Sequence, residues 1–309
     1  MSFNLSGLST YTDELSTELV SRALLKPQSV QFLTVRPGLT AGTSAINILG
    51  GTADIIDASC GFDSADVGSN DTAFTQVDLC VVSKQMKEKL CPEDLRDYWL
   101  SSQMSPSAYG ESVPFETAVG DFKVRQINQY IENTIWQGDS ISGSCLTGLL
   151  DQISVANSAT DGTAYAGAWA YTAAVANVWG MINLLPAAAR QEDDVVMYMS
   201  LAQYSAVVQG LLAEGNSILS QYPNVDNATG SAPQAMTFPG TNVTIFGAPG
   251  INTNQVVVGP RKFAFMGTGL VDDQDAFRFA YDFSEDIVKF MSKFRIGTAA
   301  LADQFVSNV

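Results

Sequence analysis

Apolar residues recur at helical spacing from Pro114 to Gln137, while alternation dominates the stretches on either side of the chain's middle. Phe115, Val119 and Phe122 line one stripe, which Val124, Ile127, Ile131 and Ile135 continue. Ser112 suits the N-cap, Pro114 the first helical turn, and Gly138 the position just past the end. A helix over these residues is a rod about 36 Å long at about 1.5 Å per residue. It leads into a small-residue segment closing on Gly148-Leu149-Leu150. The stretch offers no nucleophile and no ligand set, so it reads as an architectural spine.

Before the rod the character is β. Val30–Val35, Ile46–Leu49 and Phe74–Val82 are apolar or alternating runs, punctuated by Gly38, Gly42, Gly50, Gly51, Gly61 and Gly68. Between Arg36 and Lys84 there is no basic residue, whereas Asp54, Asp57, Asp63, Asp66, Asp71 and Asp78 fall there. Two readings stand: a long acidic hairpin projecting from a body, or a small antiparallel sheet packed in the main core. Ser83 to Leu100 reads as helical, with Pro92-Glu93-Asp94 opening a second helix.

Residues 141–239 read as a compact α/β middle. An Ala-rich helix runs to Leu185 and stops at Pro186, a strand covers Val195–Met199, and a helix starts at Ser200. Ser200 and Gln203 have the spacing of a capping box. The last seventy or so residues are strand after strand: Val243–Phe246, Gln255–Val258 and Lys262–Met266. Phe277, Phe279, Tyr281 and Phe283 then alternate with Arg278, Ala280 and Asp282. Past Ser284-Glu285 the alternation resumes. Val288, Phe290, Phe294 and Ile296 take one face; Lys289, Met291, Lys293 and Arg295 take the other. This predicts a terminal hairpin, with Gly297 as its end.

Composition narrows the chemistry. The chain has no histidine, which excludes Ser-His-Asp and Cys-His catalysis and His-ligated zinc. Its 16 basic and 32 acidic residues give a net charge of −16. Along the sequence no basic cluster exceeds Arg261-Lys262, so tight nucleic-acid binding is not expected. Cys60, Cys80, Cys91 and Cys145 are scattered and are expected to be reduced thiols. Asp13 and Glu14 lie early and no basic segment precedes them, so the start does not read as a signal peptide. The sequons at Asn4, Asn70, Asn227 and Asn242 then read as coincidence. Gly162–Ala189 and Val195–Ala213 are uncharged, yet internal Asn, Gly, Pro and Ser favour packed helices over membrane spans.

No phosphate loop, dinucleotide fingerprint, calcium loop or zinc spacing is present. Gly267-Thr268-Gly269 lacks a third glycine and reads as a turn. Glu192-Asp193-Asp194 and Asp272-Asp273-Gln274-Asp275 offer carboxylates suited to calcium, but read better as solvated acidic turns beside Arg190 and Arg278. The expectation is a protein without catalytic, cofactor-binding or metal residues.

The order of elements, with Ile131-Glu132-Asn133, Gly138-Asp139 and Gly148-Leu149-Leu150, resembles the major capsid proteins of tailed double-stranded DNA bacteriophages. Asn242–Phe246, Gly267, Phe277–Phe283 and Gly297 resemble that family's C-terminal region. The resemblance implies an α+β tailed-phage major capsid fold in five parts. Residues 1–29 would be an N-terminal arm and 30–82 an extended β-hairpin loop lying over a neighbour. Residues 83–140 and 240–309 would form a peripheral domain around spine helix 114–137, and 141–239 an axial domain.

It further implies a structural subunit that assembles with itself into hexamers and pentamers of an icosahedral head around double-stranded DNA. The head would form in the bacterial host cytoplasm and persist in the virion. Portal, scaffolding or decoration proteins would be partners, DNA contact would be weak and non-specific, and no membrane would be involved. Some relatives begin with a long scaffolding segment; the short arm here implies separate scaffolding or a mature chain. An encapsulin-like nanocompartment shell and an acidic non-enzymatic binding or adhesion protein are the alternatives. Some relatives also lock their shells through a loop lysine, but residues 37–83 contain none.

Overall fold

The computed structural model describes residues 28–52, 71–91, 114–139, 145–167, 169–213, 234–252, 254–269, 277–282, 284–285 and 287–309. The expected arm, the helix opening at Pro92 and the acidic run Asp272–Asp275 lie outside them, all but the arm's last residues.

Strands β1 (Thr34–Arg36), β2 (Gly42–Thr52) and β3 (Asp71–Leu90) precede helix α1 (Pro114–Gln137). After a one-turn helix at Leu149–Gln152 come β4 (Thr160–Asp161), α2 (Tyr171–Leu184), β5 (Val195–Ser200) and α3 (Leu201–Ala213). The remainder is β6 (Ala235–Thr237), β7 (Thr244–Ala248), β8 (Val256–Pro260), β9 (Ala264–Thr268), β10 (Phe277–Asp282), β11 (Ile287–Ala300) and β12 (Val306–Ser307).

These strands make two sheets. The first has the order β1-β9-β11-β3-β2, with β10 pairing β11; the second has β4-β12-β8-β5-β7-β6. Helix α1 lies where the 3.6-residue period put it, and Ile127, Ile131 and Ile135 are buried along it. Gly138 ends it with φ +77, and a side chain there would meet the Gly148 backbone nitrogen at 2.5 Å, so only glycine fits. One core joins this helix to both sheets: Ile131, Ile135 and Trp136 of α1 meet Phe294 and Ile296 of the first sheet and Tyr198 and Phe246 of the second.

A buried carboxyl sits in that helix. Ser29 donates from its hydroxyl to Glu132 Oε1 and from its backbone nitrogen to Oε2 at 3.3 Å. Trp136 Nε1 donates to Ser29 Oγ at 2.7 Å, tying the entry of the described chain to α1. Burial pushes the Glu132 carboxyl above its ordinary value, and the Ser29 hydrogen bonds only partly offset that.

The second sheet is the better buried. All six residues of β5 are buried: Val195, Met197 and Met199 pack with Val175, Val178, Val207 and Leu211 of α2 and α3, and Val196 and Tyr198 lie in the core around α1. The capping box predicted at Ser200 forms: Gln203 N donates to Ser200 Oγ at 3.3 Å, and Ser200 N donates to Gln203 Oε1 at 3.3 Å.

Four expectations need correction. Residues 83–90, expected to be helical, continue strand β3, because β11 pairs with them from Val288↔Leu90 to Thr298↔Cys80 and the ladder overrides local propensity. Val30–Phe32 belong to a 3₁₀ turn, and β1 starts only at Thr34. Gly297 does not end the terminal hairpin: β11 continues to Ala300, and Gly297 pairs with Val81 on one side and Gly267 on the other. A side chain there would meet the Cys80 carbonyl oxygen at 2.5 Å, which is why glycine occupies a strand interior. Gly267 likewise lies within β9 and not in a turn.

The cysteine expectation also changes. Cys80 and Cys145, separated by 65 residues in sequence, form a disulfide with Cα atoms 6.1 Å apart; Cys91 is free. Cys60 lies outside the described residues. Finally, the division expected at residue 240 falls inside the second sheet, since β6 precedes it and β7 and β8 follow it.

Candidate functional site

Strands β2 and β3 are unequal partners. They pair from Gly42↔Val81 out to Thr52↔Asp71, but β11 accompanies β3 only from Leu90 to Cys80. Beyond Cys80 the hairpin is therefore a two-stranded ribbon, and β2 presents an unpaired outer edge. An isolated ribbon of this kind is marginal in water unless something covers it.

Near the root it is covered. Leu79, Val81, Phe265 and Ala299 form a small buried cluster, with Leu39, Ile46, Ile48 and Val77 packed against it. Further out, Leu49 and Phe74 stand directly opposite each other, 65% and 77% exposed. No described residue of the same chain covers this pair. Such a pair on a projecting ribbon marks a surface meant for contact.

The other half of β3 is strapped to the helix side. Lys84 pairs with Asp139 just past α1, and Lys123 of α1 pairs with Glu88. Cys80 adds its covalent link to Cys145, so residues 80, 84 and 88, every fourth along one face of the strand, all tie to α1 or its exit. The hydrogen bond from Lys84 to Asp139 holds that ammonium above its ordinary value. A fixed root and the uncovered pair Leu49 and Phe74 together make β2–β3 an outreach from the first sheet.

The opposite face of the first sheet is basic. Lys87 and Lys89 of β3 lie beside Lys289, Met291, Lys293 and Arg295 of β11, with register pairs Lys289↔Lys89 and Met291↔Lys87. Arg36 reaches the same face through Arg36↔Gly267↔Gly297. Lys89 and Lys289 pair with Glu285 at 3.0 and 3.8 Å, and Lys289 also binds Asp282, whose carboxyl is held below its usual range. Among the described residues no carboxylate pairs with Lys87, Lys293 or Arg295. Reading the sequence as a line, where the largest cluster was Arg261-Lys262, missed this patch. Only strand pairing brings residues 87 and 293 together, although the alternation of Lys289, Lys293 and Arg295 was a partial signal.

The acidic motif Glu192-Asp193-Asp194 forms a turn into β5. Lys262 pairs with Glu192 at 2.6 Å, and Asn242 donates to the Glu192 carbonyl at 2.7 Å. Among the described residues, no group of three or more His, Cys, Asp or Glu is arranged to hold a metal ion. Nor is any described helix long and apolar enough to cross a membrane.

No protein-family model and no curated protein matches the chain. Solved structures do. The capsid of the native GTA particle aligns with a TM-score of 0.60 at 14% identity, covering 99% of this chain and 98% of that one. The capsid of the Myoviridae phage XM1 aligns at 0.59 and 11% identity, covering 96% and 95%. A structure from Mycobacterium phage Cain aligns at 0.58 and 13% identity, covering 97% and 92%. The likeness covers nearly the whole of each chain, and the chain has the major capsid protein fold of bacteriophages.

Proposed function

We propose that this protein is a major capsid subunit that assembles with itself into hexamers and pentamers of an icosahedral phage head enclosing double-stranded DNA. One observation carries the reading: a projecting two-stranded ribbon whose apolar pair, Leu49 and Phe74, is left uncovered. A shell subunit needs a rigid body and outreaching arms, because a closed surface is built from contacts between copies.

In this reading residues 1–29 are the arm and the β2–β3 ribbon is the loop that overlaps a neighbour. Helix α1 and the first sheet form the peripheral domain. The second sheet with α2 and α3 forms the axial domain, which then includes β6, β7 and β8. The protein is non-enzymatic, its home is the virion after assembly in the host cytoplasm, and portal, scaffolding or decoration proteins are its further partners. DNA is enclosed with weak, non-specific contact, as suits a net charge of −16.

Expression of the chain alone, followed by negative-stain microscopy, tests this. Closed particles of phage-head size are the expected result. Uniformly small shells holding protein would assign the chain to an encapsulin-like compartment. A monomer at high concentration would leave an acidic binding protein as the reading.

A further inference from the structure

The Cys80–Cys145 bond sits at a mechanical junction. Strand β11 accompanies β3 as far as the pair Thr298↔Cys80, and beyond that point β3 pairs with β2. Cys145 belongs to the segment that leads out of α1, so the bond spans the root of the ribbon and the exit of the long helix.

Other contacts hold the two partners in place without it. Gly138 bridges Thr147, and Asp139 N donates to the Leu146 carbonyl at 3.0 Å. Thr298, the residue opposite Cys80, donates from Oγ1 to the Thr147 carbonyl at 2.6 Å. Gln152 Nε2 donates to the Thr298 carbonyl at 3.0 Å and to the Thr147 carbonyl at 2.9 Å, and Lys84 pairs with Asp139. With both sulfurs reduced, these contacts keep the cysteines side by side. Joining them is then an intramolecular step at high effective concentration.

The sulfurs differ in access. Cys145 is exposed and Cys80 is half-buried. The free Cys91 follows the end of β3, about 36 Å along the strand from Cys80. A disulfide tolerates a Cα separation of about 7 Å at most, so within one copy Cys91 cannot replace Cys145.

We infer that Cys80 and Cys145 form a thiol–disulfide exchange site that accepts a small-molecule disulfide of the glutathione class and closes the ribbon root when the chain leaves a reducing compartment. The timing rests on the capsid reading, in which the chain assembles in a reducing host cytoplasm and persists in the released virion; the exchange chemistry does not. The exposed Cys145 thiolate attacks one sulfur of the small disulfide, whose S–S bond breaks and releases one small thiolate. The Cys80 thiolate then attacks the Cys145 sulfur of the mixed disulfide and releases the second. Two protein thiols are oxidised, one small disulfide is reduced to two thiols, and the two protein protons pass through solvent to the departing thiolates.

The test reads cysteine state by peptide mass mapping in three samples of the full chain. Expressing cells are quenched with a thiol-alkylating reagent before lysis, purified chain is equilibrated in glutathione buffers of rising oxidised fraction, and any shells are collected after lysis. The linked Cys80–Cys145 peptide should be at least about tenfold scarcer in quenched cells than after exposure to oxidised glutathione. Glutathione should accumulate on Cys91 but not on Cys145, and Cys80→Ser should trap the adduct on Cys145. The reduced chain should keep a cooperative melting transition at a lower temperature.

Four outcomes overturn the inference: a linked peptide as abundant in quenched cells as after oxidation, links from Cys80 or Cys145 to another cysteine or another copy, no adduct trapped in Cys80→Ser, or loss of cooperative melting on reduction, which makes the bond a requirement of the fold. Purified chain that exchanges as expected without ever forming shells sinks the capsid reading alone. Shells that keep both thiols open in oxidised glutathione sink this inference alone.

Discussion

Strand β5 and the outer half of β3 are both apolar-bearing strands, and the molecule treats them oppositely. In β5 all six residues are buried, with one face against α2 and α3 and the other in the core around α1. In the outer ribbon Phe74 is 77% exposed, against 0% for Tyr198 in β5. Burying a large aromatic is worth about 2–3 kcal/mol, so leaving one in water forgoes that stabilisation unless another molecule supplies the cover. Folding completes the body, whereas the ribbon keeps apolar surface that folding leaves open.

That contrast can be broken experimentally, from the largest effect on subunit stability to the smallest. Ile131→Asp should be the most severe. Ile131 is fully buried in the core that joins α1 to both sheets, and an unpaired charge there costs about 5 kcal/mol or more. The expected result is loss of the cooperative melting transition in circular dichroism.

Opening the Cys80–Cys145 link should come next. It closes a loop 65 residues long, worth about 4 kcal/mol in the chain-entropy account. Reductant should lower the melting temperature of the wild type, while Cys80→Ser/Cys145→Ser should melt lower from the outset and ignore reductant.

Smaller effects sit at local devices. Ser200→Ala removes the capping box of α3 and should cost about 1 kcal/mol by denaturant titration. Glu132 sharpens the comparison through pH. Its folded value is raised above the ordinary 4.5, so the folded state holds this proton more tightly than the unfolded one. Its contribution is therefore fully present below pH 4.5 and declines as pH rises through the raised value. Glu132→Gln should flatten that part of the stability–pH curve.

Changes in the ribbon should barely register in the subunit. Leu49→Ser with Phe74→Ser should shift stability by about 0.5 kcal/mol or less, as for other exposed sites. Replacing residues 49–74 with a short Gly/Ser turn should also leave the melting transition in place, because the root packing of Ile46 and Ile48 is kept and loop closure costs change slowly with length. Both variants should lose assembly under the microscope. A ribbon deletion that unfolds the subunit as Ile131→Asp does would place the hairpin in the core and remove the contrast.

Much of the architecture was written in short-range pattern. The helix over Pro114–Gln137, its end at Gly138, the Ser200–Gln203 capping box and the β10–β11 alternation all depend on residues two to four positions apart. Such spacings are set by backbone geometry alone, so they survive in the bare sequence. The second half of β3 was not legible, because Ser83-Lys84-Gln85-Met86-Lys87-Glu88 suits a helix until β11 supplies a ladder from more than two hundred residues away. The cystine, the need for glycine at 297 and the strip of Lys87, Lys293 and Arg295 have the same origin. Each depends on two segments distant in sequence meeting at a particular register, and only the assembled sheet decides which residues those are.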